Sequence, residues 1–210
     1  MNLSELADEL RKEFDAASGA REKGLAGSRS AIRACSNAIR AMHRYESDTA
    51  EQLIGEAQAQ LDAARAALEP HPALRHSGFI HDAEKELAEA LITFALVNGK
   101  PLPTPHGTGI PASAFAKGMA EAIGELRRHI LDLLRHGELK RCEDLLGAMD
   151  DMYYVLTSMD YPDGITLGLR RLTDVARGII ERTRGDFTTS SIQRQLHDAL
   201  EQHTDRLDQP

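Results

Sequence analysis

Four glutamates in this chain are spaced for metal chemistry. Glu86 and Glu89 stand three residues apart, and Glu121 and Glu125 stand four apart. On a helix either spacing puts both side chains on one face. Two such helices lying antiparallel would bring four carboxylates together, and an all-oxygen ligand set suits Mg²⁺ or Mn²⁺. An ion held that way can activate water and clamp a phosphodiester, as in hydrolytic metal nucleases. The competing reading is an ordinary polar face, because 17 glutamates in one chain produce such pairs by chance. The apolar residues Phe115, Met119, Leu126, Ile130 and Leu133 point away from Glu121 and Glu125. Those two acids are therefore expected to face solvent, either on a polar face or along a water-filled cavity.

A second group suits phosphate. Between residues 20 and 44 the basic residues Arg21, Lys23, Arg29, Arg33, Arg40 and Arg44 meet a single acid, Glu22, in a chain whose net charge is −8. At roughly 100° per residue, Arg29, Arg33, Arg40 and Arg44 fall within an arc of about 60°. Leu25, Ile32 and Ile39 fill the neighbouring arc, and His43 lies close by. The guanidinium fork donates two parallel hydrogen bonds to phosphate. A one-sign ridge rising over roughly 20 Å of helix matches a nucleic-acid backbone. A solvated face paired with acids of neighbouring helices is the alternative. The cluster Arg170, Arg171, Arg177, Arg182 and Arg184 is interrupted by Asp174 and Glu181 and reads as helical ion pairing.

The elements that must position these groups are helices. Apolar residues recur at three and four almost throughout, and strict alternation is hard to find. Aromatic residues make up 4% with no Trp, which disfavours an all-β sandwich or barrel. The pattern predicts one long helix, or two nearly continuous ones, over 3–44, weakened by Gly19, Gly24 and Gly27. Further helices are expected from an N-cap at Asp48 or Thr49 to Leu68, then over 79–97, 112–135, 138–159, 164–184 and 189–203. Four of the eight prolines fall in 98–111, which reads as a loop, and 204–210 reads as a frayed tail. The expected class is all-α: a single domain over 1–210, built as one antiparallel bundle of about seven helices.

Several chemistries lack their residues. Cys35 and Cys142 stand alone, without a CxxC pair, and read as small core hydrophobes. Gly107-Thr108-Gly109 lacks the Lys-Ser or Lys-Thr of a phosphate loop, and there is no Gly-x-Ser-x-Gly elbow. The Glu-x-x-His signature of di-iron carboxylate bundles is absent, and His81-x-x-Glu84 has the reverse order. The start has no basic or apolar leader pattern, and no stretch approaches eighteen apolar residues. A cytoplasmic protein with no membrane partner is expected.

Four stretches together resemble the translin family, most closely its shorter archaeal-type members. They are Arg21-Glu22-Lys23 through His43-Arg44; Glu86-Leu87-Ala88-Glu89-Ala90; Ala120-Glu121-Ala122-Ile123-Gly124-Glu125-Leu126-Arg127-Arg128; and Asp160-Tyr161-Pro162-Asp163 with the segment from Leu169 to Gly185. The second and third look like segments of translin-associated factor X. The resemblance spans about residues 20–187. It implies a seven-helix bundle that assembles into a hollow homo-oligomer, commonly an octamer, with RNA or single-stranded DNA inside. In the factor X branch it implies Mg²⁺-dependent endoribonuclease activity, with Glu86, Glu89, Glu121 and Glu125 at the catalytic and metal positions and Arg21, Arg29, Arg33, Arg40, His43 and Arg44 on nucleic acid. Glu121 stands where the family has an aspartate, which lengthens that side chain by one methylene. The other branch implies a non-catalytic single-stranded nucleic-acid binder.

Overall fold

A computed structural model describes residues 2–207. Among them there are nine helices and no strand. Six are long: α1 (Leu3–His43), α2 (Ser47–Leu68), α4 (Gly78–Val97), α6 (Ala112–Arg135), α7 (Leu139–Thr157) and α9 (Leu169–Leu207). Three are single turns: α3 (Pro72–Arg75), α5 (Pro105–Thr108) and α8 (Asp163–Thr166). The all-α class is as the helical periodicity predicts. No helix of the described residues is long and apolar enough to cross a membrane.

The chain divides into two compact units, residues up to Met119 and residues from Ala120 onward, with the division falling inside α6. In the first unit, α1 packs on α2 and α4, and α2 packs on α4. The α1 face that enters this core is made of small residues, Gly24, Ser28, Ala31, Cys35 and Ala38, against Ala50, Ala57, Leu61, Ala64 and Leu68 of α2. A Cβ on Gly27 would stand 2.9 Å from Cβ of Ala64 and 3.1 Å from the Gln60 carbonyl oxygen. These glycines therefore do not break α1. They are the places where a second helix comes too close for a side chain. Asn2 starts α1 by accepting a bond from the Ser4 amide.

Helix α2 begins at Ser47, with Glu46 in the cap position and no side-chain cap, so neither Asp48 nor Thr49 caps it. The Ser47 hydroxyl instead donates to Oδ1 of Asn98 at 2.8 Å, tying the start of α2 to the end of α4. The expected loop over 98–111 contains α5, capped by Thr104, and it buries Ile110. In the second unit, α7 and α8 pack on α9. Arg127 of α6 donates to Thr183 of α9 at 3.1 Å and pairs with Asp186 at 2.8 Å.

The helices expected over 164–184 and 189–203 are one helix, α9. It starts later than predicted, because Leu167 (φ 53°) and Gly168 (φ 88°) turn the chain, held by the Gly168 amide on Oδ1 of Asp163. It does not stop at Thr188. The Thr188 hydroxyl donates to the Arg184 carbonyl at 2.8 Å, so it is satisfied inside the helix and caps no new one. Residues 204–207 are helical rather than frayed, and 208–210 lie outside the described residues.

The two kinds of α1 glycine separate in a stability measurement. Gly27→Ala should lower the melting temperature, because overpacking of about 1–3 kcal/mol exceeds a helix-propensity gain of about 1 kcal/mol. Gly19→Ala, which meets nothing within 4 Å, should raise it. Equal shifts in thermal unfolding would contradict the close-approach account.

Candidate functional site

The carboxylates of α4 have different fates. Glu84 is buried and accepts two bonds from Arg65 of α2, from Nη2 at 2.7 Å and Nε at 3.1 Å. Arg65 Nη2 also reaches the Gly109 carbonyl at 3.2 Å, which pins the 98–111 loop. Glu84 is thus neutralised within the first unit and is not available to a ligand. Its partner sits two helices away in sequence, and no spacing rule points to it. His81 does not join Glu84; its Nε2 lies 3.5 Å from Nζ of Lys117.

Glu86 and Glu89 remain. Glu86 is partly buried, with the Lys85 ammonium 3.1 Å from Oε1. Glu89 is only 8% exposed, well inside the protein. Both charges reach Cys35 on α1. Burial first, and then Glu86 and Glu89, push the Cys35 thiol up to about 12. Cys35 is therefore an uncharged thiol at neutral pH and cannot serve as a nucleophile. Cys142 is buried as well, its thiol pushed up to about 11 chiefly by burial.

The start of α6 is seated on α4 at Gly118. A Cβ there would lie 2.6 Å from the Lys85 carbonyl oxygen, 2.6 Å from Cβ of Ala88 and 2.8 Å from the Glu89 amide. Only glycine permits this backbone contact, which touches the turn carrying Glu86 and Glu89. Glu121 follows by three residues on the same unbroken helix. One carboxylate oxygen each of Glu86, Glu89 and Glu121 lie within 4.8 Å of one another. Glu125, a further turn along, is not in that group. Glu121 and Glu125 are partly buried, not the solvent-facing residues that the apolar face of α6 predicts. The wheel of one helix takes no account of the rest of the fold.

An oxygen-only triad of this width fits Mg²⁺ or Mn²⁺. Mg–O bonds are about 2.0–2.1 Å, so oxygens on opposite sides of one ion are about 4.2 Å apart. Oxygens at right angles on one ion are about 2.9 Å apart, so the triad would contract to hold one. Clusters of acids also occur without an ion, and then serve only as polar surface.

The arginine ridge of α1 is exposed at Arg21, Arg29, Arg33, Arg40 and Arg44. Arg21, Arg29 and Arg33 have no ion pair or side-chain hydrogen bond among the described residues, contrary to a face paired with neighbouring acids. Arg40 donates to Oδ1 of Asn37 at 3.0 Å. Arg44 is engaged at both ends of its fork by Glu46, at 2.8 Å each, so it is less free for phosphate than its neighbours. His43 is half-buried, with Nδ1 shielded from solvent. In the other basic cluster, Arg177 pairs with Glu181 and Arg184 with Asp150, so ion pairing accounts for those two.

No family model matches the chain. It is 29% identical over 171 residues to an uncharacterized protein of Methanocaldococcus jannaschii, covering 80% of this chain and 75% of that one. Its fold is similar to that of AfC3PO, solved alone and in a complex with duplex RNA. The TM-score is 0.82 in both cases, with 30% identity over 90% of this chain and 98% of the other. The chain belongs to the translin family. Apo-NeC3PO is also similar, with a TM-score of 0.79 over 88% of this translin-family chain and 96% of that one; at 17% identity the likeness is one of fold alone.

The Arg65–Glu84 pair gives a test of which α4 carboxylate is structural. Glu84→Ala should destabilise the chain by about 2–3 kcal/mol, because it leaves a guanidinium that is largely shielded from water with only the exposed Asp62 at 3.3 Å and the Gly109 carbonyl at 3.2 Å. The double variant Arg65→Met, Glu84→Leu should recover much of that loss in urea unfolding. A double variant as unstable as Glu84→Ala would mean that the pair contributes net stability rather than mutual neutralisation.

Proposed function

We propose that this chain is an oligomeric RNA-binding protein of the factor X type and a Mg²⁺-dependent endoribonuclease. Its metal site is formed by Glu86, Glu89 and Glu121, and it takes single-stranded RNA. The observation that carries the reading is the convergence of three carboxylate oxygens within 4.8 Å, one of them on the nearly buried Glu89. Glu125, one turn beyond and outside the triad, would serve the same site from its outer shell. The unpaired guanidiniums of Arg29 and Arg33 supply backbone contacts with little base selectivity. The complex of the similar AfC3PO with duplex RNA supports RNA as the ligand.

When bound, the metal supplies Lewis acidity and lowers the pKa of water. The chain's own residues do the remaining work. Glu86, Glu89 and Glu121 would hold the cation, each through a carboxylate oxygen. Lys85, 3.1 Å from Glu86, limits repulsion among the carboxylates. The arginines fix the strand, which restricts the reacting phosphodiester to one orientation.

The test is cleavage of labelled single-stranded and duplex RNA by the purified protein, with Mg²⁺ and with EDTA. Metal-dependent cleavage is expected, falling on the order of 10²-fold or more in Glu86→Gln with Glu121→Gln. RNA retention in the same variant should be unchanged. Arg29→Gln with Arg33→Gln should weaken binding and reduce the slope of log K against log salt by about 2. Binding without cleavage would leave a non-catalytic translin-like binder of RNA or single-stranded DNA. Cleavage indifferent to the glutamate variants would remove the triad from the chemistry.

A further inference from the structure

A half-buried ammonium on α6 has no acidic partner. Among the described residues, the one polar contact of the Lys117 side chain is Nε2 of His81 on α4, 3.5 Å away. Two basic nitrogens side by side in a half-buried place are stable only if one is neutral or an anion joins them. Burial first, and then Lys117, hold His81 below the ordinary histidine value; Lys85 acts in the same direction and Asp82 opposes it. His81 is then a neutral imidazole whose Nε2 accepts from Lys117, so its proton sits on Nδ1 as a free donor.

His81 also lines a cavity of about 410 Å³ that includes Arg65, Arg75, His76 and Glu84 in its wall. Arg65 and Glu84 neutralise each other. What remains is Arg75, on a loose 3.4 Å contact with Glu69, together with His76 and His81. Those two histidines bracket the first turn of α4. Ser77 does not cap it, because its hydroxyl donates to the Leu74 carbonyl at 2.6 Å. No side chain caps this 20-residue helix, and the amides of its cavity-lining residues Ile80 and His81 bond to the Ser77 carbonyl at 3.0 and 3.3 Å.

We infer that this cavity is a phosphate subsite, with Arg75, His76 and His81 as donors and Lys117 supplying charge through His81. The phosphate is either a free anion or a terminal phosphate of the RNA proposed above, and only this second source rests on that reading. The site uses none of the triad carboxylates.

The experiment follows the histidine ring protons of the full chain by NMR during titration with sulfate, whose charge is constant from about pH 6 to pH 8. His81 should shift saturably at millimolar sulfate, and its pKa should rise. Affinity should then grow as pH falls through the raised value, about fivefold to tenfold between pH 8 and pH 6. His197 and His203 on α9 should not respond. Arg75→Gln, an exposed change that leaves packing intact, and Lys117→Met should each abolish saturation. No His81 response, or one that survives both variants, overturns the subsite. A final arm compares a 5′-phosphorylated with a 5′-hydroxyl oligoribonucleotide, without Mg²⁺. A His81 shift specific to the phosphorylated strand assigns RNA termini, and a response to sulfate and inorganic phosphate alone assigns a free anion. Neither result depends on cleavage, so failure here and failure of the nuclease are separate findings.

Discussion

The seat of α6 on α4 at Gly118 is the constraint from which the carboxylate geometry follows. Backbone touches backbone there, with no room for a methyl group beside the Lys85 carbonyl and the Glu89 amide. A contact of that kind sets helix separation to a few tenths of an ångström, where ordinary side-chain packing tolerates repacking. It also sets rotation, because the residue opposite must be the one without a Cβ. The acids on the neighbouring turns take their aim from this missing side chain.

Charge is then sorted by what lies within reach. Three glutamates occupy two turns of α4, and Glu84 is neutralised by the Arg65 guanidinium. Glu86 has a lysine beside it, and Glu89 is turned into the protein near an un-ionised thiol. Glu84 therefore ties α4 to α2, while Glu86 and Glu89 lie together with Glu121. On α1, the same sorting leaves Arg44 tied to Glu46 while Arg29 and Arg33 project into solvent.

Much of this was legible in the sequence, because helical periodicity depends only on local spacing. The paired glutamates and the arginine ridge were visible for the same reason. What was not legible needed a partner from elsewhere. Gly24, Gly27 and Gly118 look like weak points in a helix, since nothing local distinguishes a glycine that frees the backbone from one that admits a neighbour. Thr188 could cap a new helix or bond back into the old one, and the hydroxyl suits both. Arg65 with Glu84, and Lys117 with His81, join residues 19 and 36 positions apart and carry no periodic trace. The burial of Glu89 escaped for the same reason: an acid on an amphipathic helix reads as exposed until its neighbour is known.

The segregation of charge along the chain has a kinetic consequence. Residues 20–44 carry +5 in a chain of −8, which leaves −13 on the rest. Beyond a Debye length of about 8–10 Å exposed charges are largely screened, and the weak field that remains has the sign of the net charge. Inside that distance the nearest patch dominates, and the ridge of α1 attracts. Encounters from most directions are turned away before contact, while those meeting the ridge are drawn in. Low ionic strength, which strengthens most protein–polyanion encounters, would here lengthen the reach of the repulsion as well as the attraction. Orientation is selected during approach, before any hydrogen bond forms.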